Sequence, residues 1–397
     1  NTYVSSIAIS NMNSECISLI DGATEFGVDN LSINGCSSGI SMISSYLETL
    51  IITNSHFSDV TIGITLGSTV LKTFKVDGCE FNGIGRSRTA ISRSSSSSNS
   101  VEFEVTNSTI MNYHYPGTTA NGIYMSTSEN VQATISNVQF SNLTCSNGCG
   151  IYVTASNLEM NIQNSLFRDS SASLYGALYI NSDEAVTISN SQFINCQSGG
   201  NGGAIYYSQY SDGELTVDSC VFQNNEAVGN GGALAAFSEA SVTGCEFIQN
   251  SAVLGGAIYS STSLTVSDSD FTQNTVSSNG GALYLTGASS NIFIISGCVM
   301  TGNTASGDGG AIYSEVGTVQ LTEAVIDKNN ADGNGGGIYI EESSVTVVKG
   351  LIRNNSANSG GGIYLDSYPA SANLKFAVFG ENQAAAEGGG LVCDNDA

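Results

Sequence analysis

The chain has 397 residues, with 10 Lys plus Arg against 35 Asp plus Glu and a formal net charge of −25. That balance argues against nucleic acid or an anionic membrane surface as a partner, since both attract basic clusters. No run approaches the length of a transmembrane helix. Ten cysteines are many for a cytosolic protein with so few charges.

Taken in order, residues 1–85 carry a loose pattern of short apolar runs: Leu31, Ile33 and Cys36, then Phe57, then Val76, Cys79 and Phe81. Gly39-Ile40 and Gly63-Ile64 mark matching positions. Residues 86–100 are Ser-rich, hold three of the five arginines, and read as an exposed insertion loop that packs no core. Residues 101–175 are transitional. Residues 176–397 are regular. The sequence opens without an initiating Met or signal peptide and reads as a mature or excised segment. It stops at the start of a further unit, so the natural chain is expected to continue past residue 397.

Two registers define the regular part. Gly-Gly-Ala-Ile-Tyr and its variants recur at Ile123, Ile151, Leu178, Ile205, Leu234, Ile258, Leu283, Ile312, Ile338, Ile363 and Leu391, in steps of 24 to 29 residues. Phe-x-x-Asn recurs with the same period, as at Phe222, Phe247 and Phe271. Each unit holds two or three short strand patterns between Gly, Asn, Ser and Asp, with no helical periodicity. Such strands bury an apolar face only by stacking unit on unit. The expected fold is all-β: one continuous single-stranded parallel β-helix over 1–397. It has about 14 coils, each rising ~4.8 Å.

Residue choice within the repeat then has reasons. Ile258 and its equivalents point inward, the following Tyr outward, and the next residue inward again. The Gly pair allows a corner with positive φ, or close approach between coils. Asn225, Asn250, Asn274, Asn303, Asn329, Asn355 and Asn382 fill one slot on seven consecutive coils and are expected to form a structural ladder. Tyr124, Tyr152, Tyr179, Tyr206, Tyr259, Tyr284, Tyr313, Tyr339 and Tyr364 form a column broken only at Ala235 and Val392. It is either an intramolecular stack or an outward stripe with hydrated hydroxyls that contacts another copy or glycan.

Cys36, Cys79, Cys220, Cys245 and Cys298 read as one slot, shared with Ser55, Ser191 and Ser269. Cys220 and Cys245 lie on consecutive coils within disulfide range, or are small buried side chains interchangeable with Ser. Cys145 and Cys149 form a tight pair, as a loop disulfide or free thiols. Sequons at Asn30, Asn107, Asn142 and Asn354 permit N-glycosylation in a eukaryotic secretory route.

The paired Gly-Gly-Ala-Ile/Leu and Phe-x-x-Asn motifs resemble the repeats of the polymorphic outer-membrane protein family of bacterial surface adhesins. They also look like right-handed β-helix proteins of the pectin-lyase type. The match is strongest at 202–205 with 222–225, 231–234 with 247–250, and 255–258 with 271–274. The resemblance implies a right-handed β-helix at the cell surface or outside the cell. That fold hosts adhesins, fibres and polysaccharide enzymes alike.

Enzyme signatures are weak. Outside the Ser-rich stretch the cations are Arg168, Arg353, Lys72, Lys75, Lys328, Lys349 and Lys375. His56 and His114 have no evident partner. Asp268 with Asp270, and Asp183 with Glu184, offer at most weak calcium binding, and no cofactor is expected. The expected role is mechanical and non-enzymatic: a fibre, appendage or surface layer built with copies of itself or related surface proteins. The alternative is a monomeric glycan- or host-binding adhesin. A polysaccharide lyase or hydrolase ranks third. Neither nucleic-acid binding nor membrane insertion is expected.

Overall fold

The computed structural model describes residues 2–19, 24–42, 46–67, 70–83, 88–97, 99–115, 117, 122–209, 213–366 and 370–394. Among these there is no helix, and the chain is a parallel β-solenoid of about 14 turns. It divides into two compact units, Asn1–Gln192 with Ser208–Glu214, and Phe193–Tyr207 with Leu215–Ala397.

A regular coil of the second unit shows the local logic. It runs through a tyrosine strand, Ile258–Ser260, an alternating strand, Leu264–Ser267, a phenylalanine strand, Asp270–Thr272, and an asparagine strand, Thr275–Val276. Single residues of left-handed conformation make the corners: Asp268 at φ 49° and Gln273 at φ 54°. Asn, Asp and Gly suit such positions because short polar side chains or none tolerate positive φ. One residue per corner keeps each coil short and in register with the next.

The Gly pair does both jobs read from the sequence, one per residue. Gly280 has φ +73°, while a Cβ on Gly281 would collide with the carbonyl oxygen of Gly310 on the next coil. The first glycine turns the chain and the second lets the coils touch.

Inward columns fill the core. In the second unit Ile205, Leu234, Ile258, Leu283, Ile312, Ile338 and Ile363 pair in register and are fully buried. Phe193, Phe222, Phe247 and Phe271 stack with centroids 4.7–4.9 Å apart and planes within 4°. In the first unit the equivalent column is Ile40, Ile64, Ile91, Ile123, Ile151 and Leu178. Phe57 stacks on Phe81, and Phe140 on Phe167. Each buried side chain contributes roughly 1.5–3 kcal/mol.

The Ser-rich stretch corrects the sequence reading. Thr89–Ser95 is a strand of the sheet, with Ile91 opposite Ile64 on one side and Ile123 on the other. Residues 84–87 and 98 lie outside the described residues. The strand was hidden because one of its inward positions is Arg93, only 1 % exposed, where neighbouring coils carry Leu66 and Met125. Arg93 grips the fully buried Glu129 through Nε at 3.0 Å and through Nη2. Ser95, Ser97 and Thr127 donate to the same carboxylate. A buried charge is tolerated when it is paired and its remaining lone pairs are filled, and here both conditions hold.

Cys36 also moves. The register places Ile33 opposite Phe57, so Cys36 falls three residues after the phenylalanine position. That is the slot Asn225 occupies on its own coil, not the slot of Cys79. Cys36 is bonded to Cys16, Cα–Cα 5.8 Å, a pairing the loose first coils concealed.

Candidate functional site

The asparagine slot comes first because it is the most fully bonded. The Asn250 amide nitrogen donates to the carbonyl of Phe222 and to Asn274 Oδ1, each at 3.0 Å. Asn274 Oδ1 also accepts the backbone N–H of Asn250 at 3.0 Å. The same set repeats from Asn225 through Asn355, and Asn382 accepts from Asn355. Asn225, Asn250, Asn274 and Asn303 are wholly buried. Each amide from Asn225 to Asn355 therefore ties three coils and has no polar atom left for a ligand.

The tyrosine column is continuous across the gap seen in the sequence. Phe237 leans in from two residues beyond Ala235, 5.1 Å from Tyr206 and 5.5 Å from Tyr259. From Tyr259 through Tyr364 the rings stack at 4.9–5.6 Å. In the first unit Tyr124, Tyr152 and Tyr179 stack at 5.4 and 4.7 Å.

The structure departs from a hydrated stripe at the last four rings. Tyr284, Tyr313, Tyr339 and Tyr364 are only 6–8 % exposed, with Leu254, Tyr259 and Val392 packed against them. Their hydroxyls donate to carboxylates of the next coil: Tyr284 to Glu315 at 2.8 Å, Tyr313 to Glu341 at 2.6 Å, Tyr339 to Asp366, and Tyr364 to Asp394 at 2.7 Å. Burial first, and these carboxylates second, push all four phenols up from their ordinary value. The signal was present in the sequence. Glu315, Glu341 and Asp366 each lie two residues after a column Tyr, on the same side of the strand. Tyr124, Tyr152, Tyr179, Tyr206 and Tyr259 are half-buried. Within each stack the ring faces are occupied, so the interior of the column offers edges and not platforms to a sugar.

The cysteine slot behaves as a small-residue slot. The N–H of Ser55 meets Cys79 Sγ, that of Cys79 meets Ser108 Oγ, and that of Cys245 meets Ser269 Oγ. Cys220 and Cys245 are buried thiols not joined in a disulfide, with the Cys220 N–H 3.4 Å from Cys245 Sγ. The Cys220 thiol and burial raise Cys245, and burial pushes Cys79 and Cys298 up to about 11. Such thiols are poor nucleophiles. Cys145 and Cys149 are disulfide-bonded, Cα–Cα 5.3 Å.

The four sequon asparagines share one geometry. Asn30, Asn107, Asn142 and Asn354 are left-handed corners, with φ between 47° and 56°. Their amides donate to the preceding coil, at Ser6, Asp77, Asn112 and Asp327.

The ionisable candidates are dispersed. His56 lies 3.5 Å from Glu80, and His114 lies 3.1 Å from the Thr144 hydroxyl. Asp268 and Asp270 are exposed on one corner. Among the described residues, no group of three or more His, Cys, Asp or Glu is placed to hold a metal. Asp183 lines a cleft of about 250 Å³ with Thr127, Thr154, Ala155, Ser156 and Asn181. Thr154 and Asn181 each lie two residues after a stacked tyrosine, so the cleft borders the column's edge.

The right-handed β-helix region model matches residues 94–296. The Chlamydia polymorphic membrane protein repeat matches residues 297–315, which include Met300, Asn303 and the Gly309-Gly310 pair. No curated protein and no solved structure matches the chain. Parallel coils, one-residue corners and a family match over half its length place the chain in the right-handed β-helix family, with repeats of the polymorphic membrane protein kind.

Proposed function

We propose that the chain is the β-helical passenger of a surface-displayed, autotransporter-like protein, and that its work is mechanical. Copies of it, or related surface proteins, assemble into a fibre, appendage or surface layer. The match to a surface-protein repeat supports the surface setting and a non-enzymatic role. One observation carries the mechanical reading. The Asn amides and the last four Tyr hydroxyls spend their hydrogen bonds on the next coil instead of converging on a shared space. A stack bonded this way resists local opening, because one coil cannot leave without orphaning buried groups on its neighbours. Electron microscopy of the native, undissociated material tests assembly. Filaments or sheets with an axial repeat support it, and isolated monomers sink it.

The cleft at Asn181 and Asp183 favours a second reading, a glycan-binding adhesin. A glycan array with the native chain and an Asn181→Ala/Asp183→Ala variant separates the two. Binding lost in the variant supports the adhesin.

A further inference from the structure

The outer side of the phenylalanine strand changes character along the second unit. Glu246, Asp270, Val299, Val325 and Leu351 occupy one outward position on five consecutive coils, paired in register. The corner just before this position holds Asp268 on Asp270's coil and Lys349 on Leu351's coil, both left-handed and both exposed. Arg353 ends the last strand of the five and is exposed. The first two coils thus present three carboxylates and no cation. The last two present Lys328, Lys349 and Arg353 against Glu323 and Asp327. Where the two halves meet, Val299, 36 % exposed, stands beside the half-buried Val325 of the first basic coil. Three of the ten Lys and Arg of a chain of charge −25 gather here.

We propose that this face is a contact surface for a second copy of the chain, packed antiparallel about a two-fold axis. The proposal rests on the assembly reading above and names its face and partner. The axis runs along the strand direction, between the coils of Val299 and Val325. Rotation about it sets Val299 on Val325 of the second copy. It sets Asp268 and Asp270 opposite Lys349 and Arg353 of that copy. The symmetry makes each charged contact twice. A parallel arrangement would set Asp270 on Asp270 and is excluded by like-charge repulsion. The cations are free to turn outward. Among the described residues, Lys349 and Arg353 pair only with Glu323 at 2.9 Å and Asp327 at 3.4 Å, and both basic side chains remain about half exposed or more. The Lys349–Glu323 pair is exposed on both sides, and exposed pairs contribute little and exchange partners readily.

Size sets the strength. Four facing coils at ~4.8 Å and a strand three residues wide give on the order of 200 Å² per copy, against ~800 Å² per partner for a standard interface. The contact is therefore weak in dilute solution and effective where many copies are displayed together.

Sedimentation of the full chain across concentration and ionic strength tests it. The native chain self-associates at low salt, and the association weakens as salt rises. Lys349→Glu/Arg353→Glu makes both ends of the face acidic, and Asp268→Lys/Asp270→Lys makes both basic. Each variant alone loses association by more than about tenfold through like-charge repulsion. Mixing the two variants restores it, because every facing pair is again opposite in sign. The fold tolerates the corner changes, since Glu323 and Lys349 already occupy this corner at φ 54° and 55°. Circular dichroism checks that both variants remain folded. Association unchanged in the variants, no rescue on mixing, or a native chain that stays monomeric at low salt overturns the proposal. Filaments that persist in the folded variants would sink this face and leave the assembly reading standing. Native dimers without filaments would do the reverse.

Discussion

The two units solve one problem on opposite sides of the wall. In the first unit, the slot that holds the buried Asn ladder elsewhere is filled by Cys36, Val60, Tyr113, Leu143 and Ser170. The asparagines stand outside, at the corners. Asn137 donates to Asn107, Asn107 to Asp77, and Asn142 to Asn112, all at exposed or partly exposed positions. In the second unit, Asn225 through Asn329 make the same amide-to-amide contacts wholly within the core. The geometry is similar but the energetics differ. An exposed amide that loses its partner turns to water. A buried one cannot, and the loss is the full desolvation penalty.

The comparison breaks most directly at Asn274. Asn274→Ala orphans the Asn250 N–H and one Asn250 amide proton and takes one donor from the Phe247 carbonyl, and should cost roughly 3–5 kcal/mol. Its counterpart Asn137→Gly keeps the left-handed corner and removes only an exposed bond, for less than about 1 kcal/mol. Urea unfolding followed by circular dichroism measures both, and equal losses would remove the distinction.

The first unit has its own buried polar commitment at Arg93. Arg93→Met leaves Glu129 charged in the core and should cost about 3–5 kcal/mol. Adding Glu129→Gln removes that stranded charge while Ser95, Ser97 and Thr127 still find an acceptor. The double variant should therefore be more stable than Arg93→Met alone. A double variant less stable than Arg93→Met would show that the pair is not the coupled unit described.

A smaller effect is expected at the tyrosine column. Tyr313→Phe removes a hydrogen bond to the Glu341 carboxylate, for about 1–2 kcal/mol. The pH dependence has a definite sign. The folded phenols are raised above the ordinary value of 10.0, so the unfolded chain ionises first. Their contribution is intact below about pH 10 and declines as pH rises beyond it. Stability measured through alkaline pH should fall more steeply in the native chain than in Tyr284→Phe/Tyr313→Phe/Tyr339→Phe.

The smallest effect is Cys245→Ser. Ser269 and Ser108 already accept the same backbone N–H on other coils, so the change should stay within about 1 kcal/mol. A larger loss would mean that the slot distinguishes sulfur from oxygen.

What could be read in advance follows from how the repeat encodes position. Asn274 and Phe271 declare themselves because the same residue recurs at the same step, and a stacked column needs identical side chains to bond or pack in register. Arg93 did not, because a lone cation among serines looks solvated until its partner, 36 residues on, is brought beside it. The burial of Tyr313 was half legible. Its period was plain, but Glu341 reaches its hydroxyl only once the coils close. Cys36 was misplaced because a pattern with short gaps fits two registers, and only strand pairing with Phe57 chooses between them.

By itself the sequence determined the period, the inward columns and hence the parallel β-helix, because strand alternation and one-residue corners leave a repeat near 26 residues few other ways to bury its apolar face. Only the tertiary structure decided which polar side chains are buried, which thiols pair, and which face changes sign along the stack. Those outcomes depend on residues a full coil apart in sequence, roughly 24 to 30 positions, that become neighbours ~4.8 Å apart only after the coils have stacked.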